Sequence, residues 1–345
     1  MFSFGRNRFD DSGAEFWKWW PGARDGIAKA IVSGAFDDRI VKDINKHVQK
    51  VHPQMAWELQ PGTQAAHAFC LSPEGNPELR QVALRWLERA PKPDSTWEHY
   101  ASKQPAKSLM TLVVAGGQFD LEEMRASAAW DGQRRLVDVR LWHPRFPEVP
   151  ENVRMQAGFL FLDHLLGEDG VERWIGAIEF FDGPTGGRTP AELKAEVERH
   201  AAEPTGDATW INGERTRPDG TVELVIADAA LKRIDHPFHD TWVWVQMLWG
   251  ADRYPTDEEA EQLNREEDNF LERMGDRAIL AARVTVPGGR TWHFVSRDFE
   301  KMRPAIDGWA EWLPDSLSAG LPQRRLKIDG GQDMTWQFLR DLGIR

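Results

Sequence analysis

Apolar and polar residues alternate along this chain with two distinct periods, and the switches between them divide it into elements. Across the first 52 residues the period is helical: Asp11 and Ser12 offer a cap before "AEFWKWW", and Pro21-Gly22 should end that helix after about two turns. "ARDGIAKAIVSG" continues the helical pattern, and Ile40, Val41, Ile44 and Val48 repeat it up to Pro53. The period then changes. "QMAWELQ" and "AAHAFCLS" read as strands joined around Pro61-Gly62, and "PELRQVALRWLERA" reads as a helix bounded by Pro77 and Pro91. "TWEHYAS" and "SLMTLVVAG" follow as strands, and "EMRASAAW" and "RRLVDVRLW" flank Asp131-Gly132, a hairpin signal.

Residues 152–167 form a further helical stretch, with Met155, Phe159, Phe161, Leu162, Leu165 and Leu166 on one side of a helical wheel and Gln156, Asp163 and His164 on the other. "RWIGAIEFF" is then a strand. Thr189-Pro190-Ala191-Glu192 is a capping box opening another helix. Pro204-Thr205-Gly206-Asp207 is the expected domain boundary, dividing the chain into 1–203 and 207–345. The second half reads as strands at 209–216, 222–226 and 242–249, a helix at 256–274, a hairpin around Pro287-Gly288-Gly289, a helix at 299–312, the strand "RRLKI" and a closing helix at 332–342. Strands mixed with helices, joined by hairpins more than by crossovers, imply α+β architecture with a mainly antiparallel sheet in each domain, the second ferredoxin-like.

The second half, through "WVWVQMLW", "EEAEQLNREEDNFLERM", "ARVTVPGGRTWHFVSRD" and "DMTWQFLRDL", resembles the bacterial domain-of-unknown-function family 695 across about residues 207–345. That family in turn resembles the regulator of ribonuclease activity B, a small, acidic, ferredoxin-like inhibitor that acts by binding another protein. The likeness concerns fold and charge, and fold alone does not set function. The first half is similar to another uncharacterised bacterial type through "FWKWW", "LERAPKPDSTWEHYASKQP" and "FLDHLLGEDGVERWIGAIEFF". Neither resemblance implies catalytic residues.

Length agrees with two domains, since 345 residues exceed the size at which one core stops growing, about 250–300 residues. Hydrophobic residues make up 41% and charged residues 28%, a folded composition. The net charge of -12 opposes a phosphate-binding surface, and Arg324, Arg325 and Lys327 are too few to reverse it. Nucleic acid is therefore excluded as a direct ligand, while a basic protein partner remains compatible. One cysteine, Cys70, precludes a disulfide framework, and His67 three positions away falls on the opposite strand face. No window approaches 18 apolar residues and the start lacks a signal-peptide pattern, so no membrane span and a cytoplasmic location are expected.

Five residues qualify as weak metal ligands. His164 and Glu168 stand four apart on one helix, where both can project in one direction, although Glu168 can equally cap the following "EDGVERW". "DHPFHD" supplies His236, His239 and Asp240 within a loop. "DGPTGGRT" has glycines too closely spaced for a phosphate loop, with Arg188 in place of the lysine. Tryptophan is abundant, 17 residues against 2 tyrosines, and the cluster Trp17, Trp19 and Trp20 is a candidate partner surface. A second candidate surface is the acidic helix stripe of Glu258, Glu259, Glu266 and Glu267, which reads as a solvated face able to meet a basic partner.

With no nucleophile elbow, no zinc-protease pair and no dinucleotide fingerprint, the leading expectation is a non-enzymatic protein-binding or regulatory module without cofactor. The alternatives are a metal-dependent hydrolase built on the histidines above, with a divalent metal as cofactor, and a small-molecule sensor with a tryptophan-lined pocket.

Overall fold

Alternation and helical periodicity resolve into eight α-helices and several sheets in the computed structural model, which describes residues 12–181, 183, 187–203, 208–249, 252–316 and 325–344. The architecture is α+β. Asp11 of the expected first cap, the boundary residues 204–207, Gly186 of the glycine-rich loop and Arg324 lie outside the described residues. The chain divides into two compact units: unit 1 comprises Met1–Asp131 and Leu136–Glu203, and unit 2 comprises Gly132–Arg135 and Pro204–Arg345.

Unit 1 opens with helices α1 (Ser12–Ser33) and α2 (Asp38–Val51). Pro21 does not end α1, contrary to the expectation above. Proline removes only one helical N–H, and the helix is held on both sides of it by Phe16, Trp20 and Ile27, which enter one apolar core with Trp86 and Trp97. Strands β1 (Ala56–Pro61) and β2 (His67–Ser72) pair antiparallel, and helix α3 (Pro77–Glu88) then carries the chain to β3 (Trp97–Tyr100), parallel to β2. β4 (Thr111–Val114) and β5 (Gly117–Asp120) form a small hairpin, and β6 (Arg125–Asp131) pairs antiparallel with β7 (Leu136–Trp142). Helix α4 (Glu151–Trp174) crosses to β8 (Ile175–Phe180), parallel to β7, and α5 (Pro190–Ala201) follows its capping box. Unit 1 thus contains two helical crossovers with parallel pairing. Short strands separated by helices of ordinary length leave that choice open in the sequence.

Unit 2 builds one antiparallel sheet from β9 (Trp210–Thr216), β10 (Val222–Asp228), β11 (Thr241–Leu248), β12 (Ala278–Val286), β13 (Gly289–Ser296) and β14 (Arg325–Gln332), in the order β14-β11-β13-β12-β10-β9. Helices α6 (Asp257–Met274) and α7 (Phe299–Ser316) cover one face. Val243, Val245, Trp292 and Phe294 of the sheet meet Leu263, Phe270, Met302, Ile306 and Trp309 of the helices there, each large side chain contributing roughly 1.5–3 kcal/mol by burial. On the other face the short helix α8 (Gln337–Asp341) packs Phe338 and Leu339 against Ala227, Ala282 and Val295. α8 begins later than residue 332 because β14 runs through Gln332, and the Asp333 carboxylate caps the amides of Gln337 and Phe338.

The acidic stripe of α6 is not a solvated face. Glu258 is exposed, but Glu259, Glu266 and Glu267 are buried. Glu267 accepts from Arg283 at 2.6 Å and from the Trp292 indole at 2.5 Å, and Glu259 is bound by both ends of the Arg253 guanidinium at 2.7 and 2.8 Å. Glu267 thereby joins helix to sheet and Glu259 ties α6 to the loop before it, and removing one partner leaves a buried charge uncompensated.

Candidate functional site

Residues of opposite charge converge in unit 1 at a cleft of about 280 Å³ between the β1 and β3 strands and the segment 103–110. Alternation along β3 puts Glu98 and Tyr100 on one face and Trp97 and His99 on the other. The second face packs into aromatics, with the His99 ring edge-on to Trp17 at 4.9 Å. Burial, reinforced by the Arg24 cation, lowers the His99 pKa to about 4 and keeps it neutral.

Glu98 is 4% exposed, yet the turn after β1 folds around its carboxylate. The amide of Thr63 donates to Oε1, those of Gln64 and Ala65 donate to Oε2 at 3.0 and 3.3 Å, and the Thr63 and Tyr100 hydroxyls reach Oε1 at 3.0 and 3.1 Å. Burial opposes ionisation, but this ring of donors outweighs it and holds the Glu98 pKa at about 2. The wall of the cleft is therefore fixed before any ligand arrives.

The opposite wall carries the cations. Lys103 Nζ pairs with Glu58 Oε1 at 2.8 Å, and Lys107 Nζ donates to the neutral Gly62 carbonyl at 2.6 Å. Gln60 joins Glu58 at 3.2 Å and accepts from the Cys70 thiol at 3.5 Å, while burial, with Glu58 adding to it, pushes that thiol up to about 12. His164 also lines the cleft. Its Nδ1 meets the Leu160 carbonyl at 2.8 Å, which assigns the proton of the neutral ring to Nδ1 and leaves Nε2 a lone-pair acceptor. Beside it, burial raises the Asp163 pKa to about 6, with Lys103 opposing the shift.

His164 and Glu168 do not project together. Gly167 between them leaves the helical conformation at φ 74° and ψ 162°, which turns Glu168 away. Glu168 is 6% exposed and accepts from Ser72 Oγ at 2.9 Å, Gly75 N at 2.7 Å and Lys103 N at 3.3 Å, while its own amide donates to Lys103 O at 2.9 Å. It ties the 103–110 segment to the end of β2. Arg80 completes the cluster, bonding Asp169 and Glu172.

In unit 2, the rings of His236 and His239 approach edge-to-face at 5.2 Å, but Asp240 does not join them: its backbone carbonyl accepts from Asp333 N and its carboxylate meets Thr241 Oγ1 at 3.5 Å. Burial lowers both histidines, His239 to about 4, with the Arg297 cation adding to the effect. Among the described residues no three His, Cys, Asp or Glu side chains gather with metal-ligating geometry.

The tryptophan cluster also departs from a surface patch. Trp20 is buried at 1% exposure, Trp17 stacks on Trp86 at 4.6 Å and donates to Trp86 O at 2.8 Å, and Trp19 stacks on His47 at 4.2 Å and donates to Asp43. Large rings bury more area than their neighbours can leave in solvent, so the cluster serves the α1–α3 core.

No cleft residue except His164 stood out in the sequence. The available signal was Glu98 in the strand "WEHY", a carboxylate within a buried pattern, beside one of only two tyrosines. Compared with family models, curated proteins and solved structures, the chain gives no match to any. No helix among the described residues is long and apolar enough to cross a membrane.

Proposed function

We propose that the chain is a non-enzymatic binding protein whose unit 1 recognises a small polar molecule in the cleft. The observation that carries this reading is the convergence of Lys107, Tyr100, His164 and the Glu58–Lys103 pair on one cavity whose wall is braced by the donor ring around Glu98. A volume of about 280 Å³ sits at the small end of ligand pockets, roughly 300–1,000 Å³, and suits a metabolite-sized molecule. Lys107 keeps donors for an anionic or carbonyl group, and His164 Nε2 accepts from an N–H or O–H. Recognition therefore favours a molecule carrying both an acceptor end and a donor end.

We read unit 2 as ferredoxin-like, a reading supported by its β11-α6-β12-β13-α7-β14 path and the strand order β14-β11-β13-β12, to which the β9–β10 hairpin is added. This agrees with kinship to domain-of-unknown-function family 695, which we retain as a proposal together with a cytoplasmic, regulatory role.

A thermal-shift screen of small polar metabolites tests the proposal. A ligand at about 100 times its dissociation constant adds roughly 2.7 kcal/mol, an upward shift of several degrees for a unit of this size. Hits should lose their effect in Lys107→Met. Absence of hits, or a set of hits all of which are indifferent to Lys107→Met, would overturn it.

A further inference from the structure

Unit 2 carries a cavity of its own, about 220 Å³, on the sheet face opposite α6 and α7. Its floor comes from the paired strands β9 to β13, with Arg217 just past the end of β9 and Leu342 just past α8 at its edges. At one side, Glu223 is 1% exposed and bracketed by two guanidiniums, Arg215 Nε at 2.6 Å and Arg217 Nε at 2.5 Å. Two cations share a single carboxylate, which leaves one positive charge over. Arg215 also donates to the Asp341 carbonyl, whereas Arg217 has about half its side chain exposed.

Other charges on the same face do not cancel that excess. Lys327 stands opposite Gln246 and Asp329 opposite Trp244 in the β11–β14 register, a cation and an anion. Asp219, close enough to feel Arg217, sits in the exposed turn after β9 and does not line the cavity. His293 is held down to about 4 by burial and by Arg215, so it adds no charge. The Trp242 indole donates to His293 Nδ1 at 3.2 Å, which assigns the remaining ring proton to Nε2.

The aromatic side of the cavity is asymmetric. Trp242 belongs to a cluster of near-parallel rings with Phe338 at 5.6 Å and His293 at 5.8 Å, which are 5.9 Å from each other. Trp244, two residues on and half-buried, has no ring partner and no acceptor for its indole N–H among the described residues, and it lines the cavity beside Gln246 and Thr291. An unstacked indole lining the same cavity as a half-exposed guanidinium that shares its only carboxylate with a second arginine suits a flat ring bearing a planar anion. Guanidinium and carboxylate match edge to edge through paired N–H···O bonds.

We propose that this face of unit 2 is a binding site for a small planar aromatic carboxylate, with Arg217 taking the carboxylate and Trp244 the ring. This rests on nothing in the unit 1 cleft. The probe is 2-naphthoate, titrated into the full chain while the indole N–H signals of Trp242 and Trp244 are followed by NMR, with 2-naphthylmethanol and inorganic phosphate in parallel. Saturable binding that shifts the Trp244 signal is expected for naphthoate, with affinity about tenfold weaker in Arg217→Gln, the size expected for one charge-assisted contact. Binding should also weaken as salt rises from about 0.05 to 0.5 M, a readout available on the unaltered protein if the variant fails to fold. Lys107→Met should leave it unchanged. The proposal falls if naphthoate does not saturate, if the neutral alcohol or phosphate binds as well, if salt has no effect, or if a folded Arg217→Gln binds naphthoate like the parent.

Discussion

Replacing Glu168 by glutamine changes one atom and tests how the cleft is held. The carboxylate receives three hydrogen bonds, from Ser72 Oγ, Gly75 N and Lys103 N, at a site 6% exposed. Glutamine offers one acceptor oxygen and one donor amide, so either the Gly75 amide on one side or the Ser72 and Lys103 donors on the other must face an N–H₂. One charge-assisted bond is worth about 1.5–3 kcal/mol, and a buried donor left unpaired costs a further 1–3 kcal/mol. Arg80, 3% exposed, keeps Asp169 and Glu172, which limits the loss on its side. The expected destabilisation is therefore about 3 kcal/mol, confined to unit 1. Urea unfolding measures it, fitted as separate transitions because a two-unit chain is not assured of two-state behaviour. Hydrogen exchange adds a local readout, since the Lys103 and Ala106 amides bond to Glu168 and to the His164 carbonyl and should lose protection. A loss below about 1 kcal/mol with unchanged exchange in 103–107 would refute the idea that Glu168 braces this segment.

Gly167→Ala should destabilise unit 1 as well, because φ is +74° there and a Cβ would stand 2.7 Å from Pro105 Cδ and 2.9 Å from Lys103 O; an unchanged melting temperature would contradict the kink as described. Asp163→Asn should stabilise the protein at neutral pH. The folded pKa near 6 exceeds the ordinary 3.8, so the native state binds more protons between those values, stability falls as pH rises through that window, and the penalty is complete above about pH 6. Two units correspond to roughly 3 kcal/mol as an upper figure; a gain at pH 7.5 that vanishes near pH 4 is expected, and a pH-independent effect would contradict it. Glu267→Ala should cost about 3–5 kcal/mol in unit 2 by stranding Arg283 and the Trp292 indole, which urea unfolding will show.

Helices and strands were largely legible in the sequence because burial imposes their periods. The capping box read at Thr189 starts α5 as its residue types require, and the structure shows a second such box at Thr256 opening α6. Pro21 misled, since the loss of one hydrogen bond is local whereas the packing of Phe16, Trp20 and Ile27 is tertiary. The parallel pairing of β3 with β2 and of β8 with β7 was hidden for a related reason: a crossover helix carries no mark of strand direction.

The candidate site was mostly illegible. Glu58, Glu98, Lys103 and Lys107 are ordinary charged residues in sequence, and only the fold brings residues 58 to 164 around one cavity. The same holds in reverse for Glu266 and Glu267, which periodicity placed on a wet stripe and which the sheet buries. The four-residue spacing that paired His164 with Glu168 likewise assumed an unbroken helix, and only a coordinate-level feature, the positive φ of Gly167, separates them.

The most direct test of ligand recognition by unit 1 uses methyl NMR on the full chain. Met110 lines the cleft and is 55% exposed, whereas Met247, Met274 and Met302 lie in the unit 2 core. A metabolite that stabilises the protein should shift the Met110 methyl signal in a saturable manner, leave the three core methyls in place and lose its effect in Lys107→Met. If every stabilising compound leaves Met110 unmoved, the assignment of the cleft is contradicted.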